Sequence, residues 1–230
     1  MDTCEAFLNA YRELEEALEA KYGQRSGVVQ SYASGDGSRY YEELTLFRET
    51  RNLLSHHSRI DGEHPVLPSE SSLKKLLEIV DYVKNPPVAF SVATPKESLF
   101  LAKMSDSIFY ISDIMESRGY SHIPILEKDD SLKGVFSVGT LLTFAKNNKS
   151  RSFSDLKISD LEGYIPTEKH TTEKFAFCKR DAAAEDIKKL FTHKGPFKRR
   201  VAAVFVTSDG TPKGKLLGMI TPWDFFKSEI

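Results

Sequence analysis

The chain has 230 residues, of which 40 % are hydrophobic and 28 % charged, with a formal net charge of −1. That profile fits a folded globular protein and excludes a low-complexity or fibrous chain, and no apolar run nears the ~20 residues a bilayer crossing needs. Cys4 and Cys178 are the only two cysteines and lie far apart, which leaves no basis for a disulfide framework or a paired-cysteine zinc site.

The opening Met1-Asp2-Thr3-Cys4-Glu5 is acidic and lacks a basic segment followed by an apolar core. No secretory signal is expected, and the expected location is cytoplasmic. Charge is uneven along the chain. Residues 1–87 carry 10 basic and 15 acidic side chains, whereas residues 88–230 carry 22 and 18. Ordinary solvation accounts for such a split, as does a preference of the basic part for phosphorylated ligands.

In chain order, Phe7, Leu8, Tyr11, Leu14 and Leu18 recur at spacings of three and four, which predicts a helix over 3–22 that stops at Gly23. Residues 23–38 hold four Gly and four Ser and read as a flexible loop. A second helix is predicted at 39–56, with Tyr40, Leu44, Phe47 and Leu54 on one stripe. After an irregular stretch, Ser69 or Ser71 suits the N-cap of a third helix carrying Leu73, Leu76, Leu77, Ile79, Val80 and Val83. Asn85-Pro86-Pro87 ends it, because proline disfavours helical geometry in the preceding residue. This is the expected domain boundary.

From Val88 the texture changes. Strand-like runs occur at 88–92, 98–103, 121–126, 133–137, 174–178, 200–206 and 215–221. Helical stretches fall near 107–118, 139–147, 182–193 and 222–229. Asp129-Asp130 and Asp209-Gly210 mark turns between paired strands. One pattern occurs twice: Gly134-Val135-Phe136-Ser137-Val138-Gly139-Thr140 and Gly218-Met219-Ile220-Thr221-Pro222-Trp223-Asp224. Ser121-His122-Ile123-Pro124-Ile125 precedes the first copy, and Arg200-Val201-Ala202-Ala203-Val204 precedes the second.

In the second copy, Thr221 ends a strand, Pro222 can take the first helical position, and Asp224 falls in the first turn. A Thr three residues before an acidic residue is a capping box. The same arrangement suits ribose and phosphate, with the carboxylate accepting from a vicinal diol and amides facing phosphate. Both readings stand on the motif alone. Lys198-Arg199-Arg200, with Lys194 nearby, reads either as a solvated run or as a phosphate clamp. No P-loop, metal-ligand cluster or nucleophile triad is visible in residues 88–230.

With these strands, turns and two motifs, residues 88–230 resemble a tandem pair of CBS (cystathionine β-synthase) domains, a Bateman module. The resemblance implies β-α-β-β-α units at 88–150 and 151–230, binding of an adenine nucleotide (AMP, ADP or ATP) without a required metal, and a homodimer. It implies Asp224 on the ribose, Thr221 on the phosphate, and Ile220 and Trp223 near the base. Ser137 and His122 take the matching places in the first repeat, with Arg199 and Arg200 at the cleft mouth. Thr140 replaces the first repeat's Asp, so that site is expected to be weak or empty.

Arg51 falls on the apolar stripe of the second helix, where a guanidinium needs a partner or a task. Five steps of ~100° put His56 about 140° away. Arg51-Asn52-Leu53-Leu54-Ser55-His56 has the form Arg-Asn-x-x-x-His, and residues 1–87 are similar to the HEPN (higher eukaryotes and prokaryotes nucleotide-binding) family. That resemblance implies Arg51 on a scissile phosphate, His56 as general acid–base and Asn52 as support in a metal-independent ribonuclease. The alternatives are non-catalytic dimerisation, or Arg51 paired with a carboxylate such as Glu49 or Glu78 beside a C-capping His pair.

The expected architecture is mixed α+β and α/β: an N-terminal α-helical domain, then a tandem CBS pair. The expected function is adenine-nucleotide sensing coupled to the helical domain or to an RNA or protein partner, with no membrane involvement. A nucleotide-regulated endoribonuclease and a ligand-free structural dimer are the alternatives.

Overall fold

A computed structural model describes residues 2–23, 26–56, 64–148, 155–192 and 199–226. The chain divides into two units, Met1–Pro86 and Pro87–Ile230.

The first unit is helical. Helix α1 (Thr3–Tyr22) starts at Asp2, whose side chain accepts from the Cys4 amide, and ends at Gly23 in the left-handed region (φ 69°). Helices α2 (Val28–Ser34), α3 (Tyr41–His56) and α4 (Glu70–Lys84) follow. Ser69 caps α4 by accepting from the Ser72 amide at 3.1 Å, which satisfies one of the helix's orphan donors. The shared core comprises Phe7, Leu14 and Leu18 of α1, Tyr32 of α2, Leu44 and Phe47 of α3, and Leu76 and Ile79 of α4. Phe7 and Phe47 meet edge to face at 5.7 Å.

Helix α2 corrects the expected flexible loop. Seven residues are too few for a helix in isolation, and the Gly and Ser content signals a loop. Burial of Val28, Val29, Tyr32 and Ala33 in the common core supplies the stabilisation that local propensity lacks.

The second unit interleaves helices and strands: α5 (Ala89–Val92), β1 (Thr94–Pro95), α6 (Ile108–Arg118), β2 (His122–Leu126), β3 (Leu132–Ser137), α7 (Val138–Asn147), β4 (Glu173–Lys179), α8 (Ala184–Thr192), β5 (Arg200–Thr207) and β6 (Leu216–Ile220). A 3₁₀ turn, Pro222–Phe225, closes the described chain. One sheet has the order β1-β6-β5-β4, and β2 pairs with β3 in a second. β4 and β5 are parallel and joined through α8, while β5–β6 and β2–β3 are antiparallel. Val135, Phe205 and Leu216 form a buried cluster that joins the two repeats.

Both hairpins turn the same way. Oδ1 of Asp129 accepts from the amide and hydroxyl of Ser131, and Oδ1 of Asp209 does so from those of Thr211. The segment before each repeat lies on the opposite repeat. Thr94 of β1 pairs with Met219 of β6, and the Val135 amide donates to the Ile165 carbonyl at 2.8 Å. A Cβ at Gly218 would stand 2.8 Å from the Thr94 carbonyl oxygen, and one at Gly134 would run into the Ile165 carbonyl. The glycine of each repeated motif is therefore required by backbone packing.

Three expected elements differ. Residues 88–92 are not a strand: Ala89–Val92 is a short helix, set by Ala89 and Phe90 amides donating to the Ala182 and Arg180 carbonyls. Run 98–103 keeps only one bridge, Ala102 to Ile125. The last predicted helix is, over its described part, the 3₁₀ turn at Pro222–Phe225.

Candidate functional site

Strand β6 ends at Ile220, and Thr221 then adopts extended geometry (φ −116°, ψ 166°) while Pro222 starts the 3₁₀ turn. Oδ2 of Asp224 accepts from the Thr221 amide at 2.7 Å and from its hydroxyl at 2.8 Å. Oδ1 accepts from Thr94 Oγ1 at 3.4 Å. The motif thus forms the capping box, and the same contacts hold the Asp224 carboxylate, 9 % exposed, at the wall of a cleft.

That cleft has a volume of about 410 Å³, within the range of small-molecule sites. Repeat two contributes Met219, Thr221, Trp223 and Asp224, and repeat one contributes Arg118, Tyr120, His122 and Pro124. Gly119 caps α6 in the left-handed region (φ 68°) and turns the chain toward Tyr120. Trp223 is 73 % exposed. Among the described residues that line it, Arg118 and His122 carry the basic side chains. The cleft therefore offers a carboxylate for a diol, an aromatic face for a base, and a guanidinium and an imidazole for a phosphate.

The other expected site residues lie elsewhere. Ile220 is fully buried in the core. Ser137, Arg199 and Arg200 do not line this cleft. Of the residues expected to form a clamp, Arg199 donates from Nη1 to the His170 carbonyl at 2.9 Å. Lys194 and Lys198 lie outside the described residues. Ser137 is buried and shares a capping box with Thr140, the N3 position of α7. Around it gather His122, His170 and Glu173, with Glu173 between the two imidazoles at 2.8 Å from each. Burial pushes the Glu173 carboxyl up, but hydrogen bonds from His122, His170 and Ser137 outweigh it and hold the group well below the usual carboxylate range.

Sequence reasoning missed Thr94, Arg118, Tyr120 and Glu173. Thr94 and Arg118 sit in no motif. His170-x-x-Glu173 was a visible signal, because a carboxylate three residues after a histidine can complete a site whose own motif lacks one.

In the helical unit, Arg51 pairs with Glu15 of α1 at 3.3 Å, with both side chains about one-third exposed. The expected partners, Glu49 and Glu78, are not the ones used. Arg51 Nη1 also donates to Asn52 Oδ1 at 3.2 Å, and its guanidinium lies 5.6 Å from the Tyr11 ring centre. Its reach across α1 follows from its place on the inward edge of the α3 stripe. Asn52 and His56 are exposed, and His57 lies outside the described residues. One group of metal-capable side chains converges among the described residues, Asp2, Cys4 and His64, with candidate ligand atoms within 4.8 Å of one another. No helix among the described residues is long and apolar enough to cross a membrane.

A family model described as the CBS domain matches residues 86–147 and 168–229. No curated protein matches the chain. Solved structures similar to it include CBSX2 in complex with AMP (18 % identity, TM-score 0.44, covering 62 % of this chain and 95 % of that one). Another is the CBS domain pair of protein MJ0100 with 5-methylthioadenosine and S-adenosyl-L-methionine (15 %, 0.41, 62 % and 95 %). CbpB in complex with c-di-AMP is a third (15 %, 0.42, 62 % and 84 %).

Proposed function

This chain belongs to the CBS-domain family, and we propose that it is a regulatory protein that binds an adenine nucleotide, AMP, ADP or ATP, in the cleft between its two repeats. The observation that carries this reading is the pairing of Thr221, Trp223 and Asp224 on one wall with Arg118, Tyr120 and His122 on the other. Asp224 accepts from the ribose hydroxyls, the Thr221 hydroxyl turns to the phosphate, and the base lies against Trp223. No step of bond breaking is assigned to this cleft. A bound nucleotide regulates only if it favours one of two conformations.

The helical unit takes the role of transmitting occupancy to a protein or RNA partner, as a HEPN-like module. The Arg51–Glu15 pair supports a structural role for Arg51, because ribonuclease chemistry would require its guanidinium to leave that carboxylate for a phosphate. A homodimer in the cytoplasm is the proposed working state. Exposed large apolar side chains on α6 (Phe109, 66 %; Tyr110, 51 %) and α7 (Val138, 57 %; Leu142, 65 %) support self-association. Isothermal titration with AMP, ADP, ATP and GMP tests the binding reading. It predicts saturable binding of at least one adenine nucleotide, tighter than GMP. Heat signals indistinguishable from dilution for all four would reject it.

A further inference from the structure

Glu173 begins β4, yet its carboxylate is committed to the half-site of the other repeat. Oε1 accepts a hydrogen bond from the Ser137 hydroxyl and lies 2.8 Å from His170 Nδ1. Oε2 lies 2.8 Å from His122 Nε2. Ser137 corresponds by motif to Thr221, the residue that faces phosphate in the reading above. A Cβ on Gly139 would stand 2.7 Å from Thr172 Oγ1 and 3.3 Å from Glu173 Oε1, so the first turn of α7 is packed directly against residues 172–173. The half-site that the first motif would offer to a ligand is filled by the chain's own carboxylate.

His122 faces two ways. It lines the Asp224 cleft, and it supplies one of Glu173's hydrogen bonds. Its Nε2 is held by Glu173 while its Nδ1 lies 3.0 Å from the hydroxyl of Ser121, which also lines the cleft. A neutral imidazole carries one N–H, so Glu173 on Nε2 and an anionic ligand on Nδ1 compete for it. His170 has no such divided duty: it is 5 % exposed, with Nε2 on the Ile165 carbonyl at 3.2 Å.

We propose that Glu173 is an autoinhibitory plug in the Ser137 half-site, and that His122 couples its release to occupancy of the Asp224 cleft by a phosphate-bearing ligand. The coupling half rests on the nucleotide reading of that cleft. Linkage makes it reciprocal: if the ligand loosens the plug, removing the plug tightens the ligand. The difference between ligand and plug for His122 sets how far the equilibrium moves.

The test titrates AMP into the full-length wild type, E173Q, H122A and E173Q/H122A. It also measures amide hydrogen exchange at residues 137–141 in the ligand-free proteins. Glu173→Gln keeps the size and an acceptor, so it preserves folding better than truncation does, and thermal unfolding verifies this. The expected result is about tenfold tighter AMP binding in E173Q than in wild type, with no such gain between H122A and E173Q/H122A. Exchange at residues 137–141 rises in ligand-free E173Q. Equal affinity in wild type and E173Q would overturn the coupling while leaving the nucleotide reading intact. Absence of AMP binding in every variant would reject the nucleotide reading and with it the coupling. Unchanged exchange at residues 137–141 in E173Q would overturn the plug whatever the titrations show.

Discussion

Asp224 holds Thr221 twice, accepting from its amide at 2.7 Å and from its hydroxyl at 2.8 Å through the same oxygen, Oδ2. One carboxylate thus serves as a cap and as the candidate ribose acceptor. Asp224→Asn separates the two roles, because the amide oxygen still accepts from Thr221 but carries no charge. D224N is expected to keep the wild-type melting temperature within the shift that about 1 kcal/mol produces, the usual value of a cap. Its nucleotide affinity is expected to fall by roughly two- to thirtyfold, since charged acceptors contribute about 1.5–3 kcal/mol against about 1 for neutral ones. Differential scanning calorimetry with titration reads both.

Trp223 is the only tryptophan in the chain and lies at the cleft wall with 73 % of its surface exposed. Stacking of a base on it changes its emission without any added probe. Adenine nucleotides are expected to shift or quench the fluorescence with the same midpoint as calorimetric binding. Trp223→Ala should weaken binding by about 1–3 kcal/mol, the range of base–aromatic stacking. Emission that ignores saturating ligand would remove Trp223 from the site.

Glu173 gives stability a pH signature. Its folded-state carboxyl lies well below the ordinary 4.5. A depressed carboxylate contributes stability that is fully present above its unfolded value and lost as pH falls toward its folded one. Urea midpoints should therefore begin to fall below about pH 5 and keep falling as pH drops toward the folded value, and E173Q should show a shallower fall over that window. Parallel curves for the two proteins would contradict the assignment.

Arg51 and Glu15 are each about one-third exposed, so the pair is screened by solvent. Arg51→Ala should cost no more than about 1 kcal/mol and leave AMP binding unchanged. A complete loss of folding would mean that its packing over Tyr11 matters more than its charge.

Much of this molecule is legible in its sequence because the relevant physics is local. The stop at Gly23, the cap at Ser69, the turns at Asp129 and Asp209, and the strands carrying the repeated motif all follow from near neighbours. What escapes is set by contacts distant in sequence. Helix α2 exists because Val28, Val29, Tyr32 and Ala33 find a core. Val88, Phe90 and Val92 have side chains that favour a strand, but Ala89–Val92 is held as a helix by the Arg180 and Ala182 carbonyls. Glu173 looks like an ordinary strand residue until folding brings it to Ser137, 36 positions away. Arg199 reaches the His170 carbonyl, 29 positions away, a contact that no motif reveals.

The most direct measurement is thermal unfolding of wild type and D224A against AMP, ADP, ATP and GMP. A ligand at about 100 times its dissociation constant should stabilise the native state by roughly 2.7 kcal/mol. The account predicts an upward shift for one or more adenine nucleotides in wild type and none in D224A. An equal shift in both proteins would place the ligand elsewhere, and no shift in either would leave Thr221 and Asp224 as a cap alone.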